Sequence, residues 1–363
     1  MKNKAIAIGF SALLLLTMLF HIVLPDLALS IAERRTLAVM PQLVKNGRMN
    51  EDFFEDFERY ALDQFPLRDT LRGVKAFVQL YILRQTDNNG LYFMGDSVVK
   101  IDGPLDEKSV AKFADKINAL YEEHLAGMRV FLAVIPDKNA YAGDIVGAPG
   151  LSYEAMLESL LPKLNDKIAP IDLYDALTLE DYYKTDPHWR QERLQKVIDR
   201  LKESMGFSAD IDLDAFDAVP FAPFYGAYYG QAALPMPPET LFYLTDENTA
   251  SATVENVQDK SSETVYDPGK LGKLDSYEVF LSGATPFQVI TNPQSQTERD
   301  LILFRDSFGS SLAPLLLKQY RRITLVDLRY MSSALLEDRI EFKDQDVLFL
   351  YSSLVVNQSD MLR

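Results

Sequence analysis

The chain reads as an α/β protein, a parallel sheet covered by helices on both faces, with an apolar membrane helix in front and a β-rich insertion inside. Two observations predict the sheet. From about Asp106, amphipathic helix patterns alternate with short apolar runs, the rhythm of βα units. Three of those runs, Arg129–Ile135, Leu301–Asp306 and Asp346–Tyr351, are rich in Val, Ile, Leu and Phe, as strands buried on both faces are. A third observation predicts the membrane helix: Ala5 to Leu24 is almost wholly apolar, behind Lys2 and Lys4.

With 363 residues, 47% of them hydrophobic, the chain can bury a large core in one big or two modest domains. A net charge of −16 argues against a nucleic-acid partner, because phosphate binding needs clustered Lys and Arg. With no cysteine there is no disulfide, thiol nucleophile or cysteine-based metal site.

Twenty apolar residues suffice to cross a bilayer, and the positive flank puts the N-terminus in the cytoplasm and the bulk of the chain outside. A cleaved signal peptide is the alternative, with Ala28-Leu29-Ser30 as a small-residue site. Either way the main domain is exported, and His21 is a tolerated interfacial residue. The expected organisation is residues 1–30 as cytoplasmic tip and anchor (or signal), 31–100 as a helical connector with a small hairpin, and 101–363 as the main domain, with the insertion at 207–298.

In the connector, Phe53, Phe54, Phe57, Tyr60 and Ala61 fall at helical spacing, and Val74, Phe77, Val78 and Tyr81 continue the pattern past the break at Pro66. This stripe reads as a packing face without chemistry. Asn88-Asn89-Gly90 marks a turn into the hairpin strand Leu91-Tyr92-Phe93. A helix with Val110, Phe113, Ile117 and Leu120 follows; His124 near its end reads as a surface or helix-dipole residue. The strand Arg129–Ile135 delivers Pro136-Asp137-Lys138 at its carboxyl end, the functional edge of such sheets. Lys138 is therefore a pocket candidate, a solvated lysine being the alternative. The helix carrying Leu157, Leu160, Leu161 and Leu164 leads to the short strand Ile168–Leu173, and the helix carrying Leu194, Val197, Ile198, Leu201 and Met205 ends at Gly206.

Within the insertion, the loop Phe221–Gly230 reads either as a carbohydrate-facing wall of rings or as rings packed into the domain, and Glu247 to Thr264 reads as an exposed loop. Alternation resumes after residue 307 with Arg322–Asp327 and Asp346–Tyr351. The latter runs into Ser352-Ser353 and Asn357.

Chemistry concentrates in two stretches. In Tyr183-Lys184-Thr185-Asp186-Pro187-His188-Trp189-Arg190, one of only three histidines stands two residues from an acid. A carboxylate fixed beside an imidazole selects its tautomer and stabilises the imidazolium. The structural alternative is Asp186 capping a helix that begins near Trp189. Trp189 reads as packing that helix on the sheet, or more sharply as a sugar-stacking platform. The second stretch, Leu301-Ile302-Leu303-Phe304-Arg305-Asp306-Ser307-Phe308-Gly309, is a strand run that stops at a serine and continues into a helix. Ser307 is the candidate nucleophile; a plain N-cap serine is the alternative.

Together these stretches resemble the DHHW protein family. Thr185-Asp186-Pro187-His188-Trp189 is similar to its motif, with Pro187, which stiffens the turn, where the family name has its first histidine; Arg305-Asp306-Ser307-Phe308 is similar to its Asp-Ser-Phe/Tyr block. Glu33-Arg34-Arg35-Thr36-Leu37-Ala38, Asp63-Gln64-Phe65-Pro66-Leu67-Arg68-Asp69, Tyr277–Gly283 and Val326–Tyr330 extend the likeness over nearly everything after residue 30. That family in turn resembles the alginate O-acetyltransferases. The resemblance implies a three-layer, flavodoxin-like SGNH-hydrolase fold, circularly permuted so that the Asp-x-His pair precedes the serine, and a triad of Asp186, His188 and Ser307. It also makes Asn357 a candidate for helping the backbone bind an oxyanion, with Arg329 and Tyr330 as pocket candidates by position.

The implied activity is acyl, expected to be acetyl, transfer to an extracellular glycan through an acyl-serine, with a multi-span membrane acyltransferase as donor partner. Neither a cofactor nor a metal is expected, since no His/acid cluster or phosphate loop occurs. An esterase using the same residues, and a glycan-binding or assembly factor without activity, are the other readings.

Overall fold

A computed structural model of the chain describes residues 2–45, 47–147, 150–256 and 261–363. It divides into two compact units, residues 1–89 with 229–236, and residues 90–228 with 237–363.

In the first unit, helix α1 (Lys2–Val23) has 22 residues. Asn3–Val23 is, among the described residues, the one helix long and apolar enough to cross a membrane, and none of it is buried. Helices α2 (Phe53–Asp63) and α3 (Arg68–Phe77, running on as a π turn to Ile82) follow. They part where Pro66 ends the first and Leu67 takes a left-handed φ of 58°. Asp63 accepts both Arg35 guanidinium nitrogens, at 2.8 and 2.5 Å, which hold its carboxyl down at about 2. Glu33 pairs with Arg68 at 2.7 Å and Arg72 at 3.2 Å. The expected packing stripe is corrected here: of its aromatic residues only Tyr60 is buried, while Phe54, Phe57, Phe77 and Tyr81 stay exposed.

The second unit opens with the hairpin β1 (Leu91–Met94) and β2 (Ser97–Lys100). Its centre is an eight-stranded sheet. In chain order the strands are β3 (Arg129–Ile135), β4 (Ile168–Asp172), β7 (Thr253–Asn256), β8 (Ser261–Glu263), β9 (Phe287–Thr291), β10 (Asp300–Arg305), β11 (Arg322–Val326) and β12 (Asp346–Ser352); a separate antiparallel hairpin pairs β5 (Asp217–Phe224) with β6 (Glu239–Thr245). In space the order is β8-β7-β9-β11-β10-β12-β3-β4. The last five are mutually parallel, and β9, β7 and β8 add on antiparallel. Counted from β10, the parallel strands read 2-1-3-4-5, the flavodoxin-like order entered at its fourth strand, so the fold is the permuted three-layer α/β type.

Alternate residues of the parallel strands feed two cores. Ala133, Leu301, Leu303 and Leu348 pack with α7 (Gln195–Met205) on one face, and Leu132, Ile302, Phe304 and Phe349 pack with α4 (Glu107–Leu120) and α6 (Tyr153–Leu160) on the other. The short helix Asn139–Val146 is α5. Helix α7 ends as expected at Gly206, whose φ of 66° suits only a residue free to turn left-handed. The β-rich stretch 207–298 is divided: β5 and β6 stand apart, whereas β7, β8 and β9 widen the main sheet. Glu247–Thr264 is therefore a short helix (Glu247–Ser251) and two strands rather than a loop, with 257–260 outside the described residues. His124 is likewise not a surface residue, its ring stacking on Phe342 with centroids 5.0 Å apart.

Candidate active site

Ser307 lies two residues past the end of β10; the chain after β10 packs on one face of the sheet (Phe308, Leu312) and the chain after its neighbour β12 on the other (Val355, Val356). That is the switch point where open α/β sheets place their sites. Asp306 fixes the turn: its Oδ1 accepts the Phe308 N–H at 3.0 Å and its Oδ2 the Ser352 N–H at 2.8 Å, tying the turn to β12. Ser307 holds the N-cap position of a five-residue helix, Phe308–Leu312, but its side chain makes no capping bond. Its Oγ instead meets His188 Nε2 at 2.8 Å.

His188 comes from a loop after β4. The backbone pairs Tyr182 with Trp189 across it, and Tyr183 N donates to His188 O at 3.1 Å. Asp186 is wholly buried; its Oδ1 faces His188 Nδ1 at 2.6 Å and accepts the His188 N–H at 3.1 Å, while its Oδ2 accepts the Ala227 N–H at 2.8 Å. No helix starts at Trp189; the first helical turn is Gln191–Arg193. The capping alternatives for both Asp186 and Ser307 fail for one reason, that each side chain is used on the imidazole. Proton on Nδ1, facing the carboxylate, leaves Nε2 as the acceptor for the serine proton.

The loop is held from three sides. Glu239, at the start of β6, accepts the Lys184 N–H at 2.8 Å and the Thr185 N–H at 3.0 Å. The aromatic loop contributes backbone: Gly226 N donates to Thr185 Oγ1 at 2.9 Å and Tyr228 N to Thr185 O at 2.8 Å. A Cβ on Gly226 would stand 2.1 Å from Thr185 O, so only glycine fits. The rings of that loop do not form one wall, since Phe224 is buried edge-on against Tyr183. From the third side, Lys138 is buried with Nζ on the carbonyls of Val98 at 2.5 Å and of Tyr183 and Lys184 at 2.9 Å. Burial pulls its ammonium down to about 8, against the nearby Asp186, Glu239 and Asp137 carboxylates. Lys138 is neither solvated nor free for a ligand; it positions the loop.

Two residues the sequence did not assign, Tyr277 and Ser311, complete the support. Tyr277 stacks on the His188 ring, centroids 3.9 Å apart, and donates its hydroxyl to Ser311 Oγ at 2.9 Å. Ser311 also accepts the Trp189 Nε1–H at 2.8 Å, and Trp189 is fully buried, edge-on to Phe308, which removes the sugar-platform reading. The only prior signal for Tyr277 was its place in a stretch resembling the DHHW pattern.

The remaining candidates lie outside this constellation. The Asn357 carboxamide is occupied, Oδ1 accepting the Asp106 N–H at 2.7 Å and Nδ2 donating to Pro104 O at 3.2 Å, so it caps the approach to α4 instead of facing an oxyanion. Arg329 grips Asp327 through Nε at 2.9 Å and Nη2 at 2.7 Å, and Tyr330 is half-exposed beneath that guanidinium. None of their bonds reaches Ser307 or His188. The helix amides next to Ser307 are also taken: Phe308 N and Gly309 N bond Asp306, and Ser310 N bonds Ser307 O. Among the described residues none accepts the Ser307 N–H.

A buried acid, an imidazole and a serine thus stand in line at the carboxyl edge of a permuted flavodoxin-like sheet. The DHHW protein family model matches residues 159–326, which take in all three residues. A DHHW family protein from Eubacterium siraeum superimposes with a TM-score of 0.63 at 19% identity, over 76% of this chain and 94% of that one. PatB1 of Bacillus cereus, solved with a sulfonyl adduct, superimposes at 0.58 with 17% identity, over 73% and 97%; PatB1 without it gives 0.58, 18%, 73% and 96%. These likenesses establish the shared fold. No curated protein matches the sequence significantly.

Proposed function

We propose that the protein transfers an acyl group, expected to be acetyl, to an extracytoplasmic glycan through an acyl-serine on Ser307. The observation that carries this reading is the continuous line from Asp186 through His188 to Ser307 Oγ, with contacts of 2.6 and 2.8 Å. Ser307 gives its proton to His188 Nε2 as Oγ attacks the acyl carbonyl; the Ser307 N–H receives the negative oxygen; the imidazolium returns the proton to the leaving group. A sugar hydroxyl then loses its proton to His188 and attacks the acyl-serine, restoring the site. Asp186 stays ionised throughout and stabilises the imidazolium. The sulfonyl adduct carried by PatB1 supports covalent chemistry on this fold.

On this reading α1 is a single-pass anchor with its N-terminus in the cytoplasm and the catalytic unit outside. An enzyme so placed has no direct supply of acyl-coenzyme donors, which calls for a multi-span membrane acyltransferase as partner.

The test is turnover of an acetyl-ester reporter by the full chain in detergent, with intact-mass detection of an acetyl adduct. Wild type should turn over and gain one acetyl group, and Ser307→Ala and His188→Ala should lose turnover by roughly a thousandfold or more. Turnover unaffected by Ser307→Ala would end the acyl-serine reading. Full activity with water and no transfer to any saccharide, even with native membranes added, would convert it to an esterase.

A further inference from the structure

Helix α3 is amphipathic the wrong way round for a protein in water. Leu67 at the N-cap, Leu71 and Val74 in the helix, and Tyr81 and Ile82 in the π turn that continues it stand at offsets of 0, 4, 7, 14 and 15, on one side of the element. Their exposures are 74%, 48%, 53%, 63% and 62%. The opposite side is the one that packs: Ala76 is fully buried, a Cβ on Gly73 would stand 3.2 Å from Ala233 O, and Arg72 donates to Gly230 O at 2.7 Å. Leaving such side chains in water forgoes the stabilisation their burial would bring, and a contiguous exposed apolar stripe marks an interaction surface.

The same unit tells what covers it. The chain leaving α1 is clamped to α2 within four residues: Tyr60 Oη donates to Asp26 at 3.0 Å, Gln64 exchanges hydrogen bonds with Leu27 at 2.9 and 3.0 Å, and the His21 and Tyr60 rings meet edge-on. An open groove of about 1120 Å³ runs beside α1, lined by Leu14, Met18 and Ile22 together with Phe57, Phe65 and Leu71. Along α1 that lining spans several turns, roughly a third to a half of a bilayer's hydrocarbon thickness. Residues from α2 and α3 thus share one apolar surface with the segment that crosses the membrane.

We propose that α2 and α3 form a monotopic membrane dock: their apolar stripe lies in the leaflet from which α1 emerges, and lipid acyl chains fill the groove between α1 and α2. This rests on α1 being a membrane anchor. Lipid is the occupant because the stripe continues the anchor's own surface and the groove is lined mainly by aliphatic and aromatic side chains, with Thr17, His21 and Asp26 its polar members, as interfacial helices are.

The chain has no cysteine, so single-cysteine variants of the full chain report one position each. Leu71→Cys, Val74→Cys and Tyr81→Cys, carrying an environment-sensitive fluorophore, are reconstituted into protein-free phosphatidylcholine/phosphatidylglycerol vesicles. Glu58→Cys and Asp69→Cys serve as outward-facing controls and Leu14→Cys as the anchor control. Positions 71, 74 and 81 should be quenched at least twofold by nitroxide lipid and shielded severalfold from iodide, with 58 and 69 showing the reverse. If 71, 74 and 81 behave like 58 and 69 while 14 is quenched by lipid, the dock is wrong and the anchor stands. If 14 is also untouched by lipid, both fall. Shielding that appears only in native membranes, and not in vesicles, would overturn lipid in favour of a protein partner.

Discussion

The imidazole of His188 lies flat against the ring of Tyr277, 3.9 Å between centroids and 10° from coplanar, so it has an aromatic wall behind it. The hydroxyl of that wall is fixed to Ser311, which also receives Trp189. The first prediction follows from this contact. Tyr277→Ala should cut kcat by roughly ten- to a hundredfold with little change in KM, because a loosened ring misplaces Nε2 in the transition state. Tyr277→Phe, which keeps the stacked ring, should restore most of it. Steady-state kinetics check the split; equal loss in both variants would mean that the hydroxyl, not the stacking, matters.

Asp186→Asn should leave the fold intact and reduce turnover by about a thousand- to ten-thousandfold, the cost of losing the tautomer and the charge opposite the imidazolium. Its Oδ2 partner is a backbone N–H, which a carboxamide oxygen can still accept. Melting curves beside kinetics separate the two effects: a collapse of stability equal to the loss of activity would make Asp186 structural.

Gly226→Ala places a methyl 2.1 Å from Thr185 O, within the turn that carries Asp186. Backbone cannot yield as a side-chain tip does, so Gly226→Ala should lower the melting temperature by several degrees and turnover by a hundredfold or more. Gly103→Ala, where a Cβ meets nothing within 4 Å and the backbone is not left-handed, is a control of the same type expected to leave activity unchanged.

Burial, with the nearby Asp102 carboxylate, pushes the Asp137 carboxyl from its ordinary 3.8 up to about 6. The folded chain therefore holds that proton more tightly than the unfolded one. Stability from this group is complete below about 4 and is lost as pH rises through about 6, a difference on the order of 3 kcal/mol. Asp137→Asn, which can still accept the Asn139 N–H, should raise the midpoint of unfolding at pH 7 and flatten its slope between pH 4 and 6. Denaturant titrations of both proteins across that window test the sign; a parallel pair of curves would refute it.

How much of this was legible in advance depends on the range of each interaction. The strands and helices around Leu301–Arg305, Asp346–Ser352 and Val197–Met205 announce themselves because burial on two faces, or on one helical stripe, writes a local period into the chain. Asp186 and His188 were legible because they are two residues apart, and Ser307 because a strand ends there. The strand order, the antiparallel widening of the sheet by β7, β8 and β9, and the supports from Glu239, Gly226, Tyr277 and Ser311 were not, since each joins residues dozens of positions apart. Asn357 and Lys138 show the same limit. Both stand near strand ends, and only the packed structure decides that one amide turns to Pro104 and Asp106 while one ammonium turns to three carbonyls. The sequence by itself determined which residues are candidates for chemistry and which segments are apolar, because composition and short spacing are properties of the chain. Tertiary structure alone decided which groups meet and which apolar face of α3 stays uncovered, because contact and exposure arise only when distant segments fill space together.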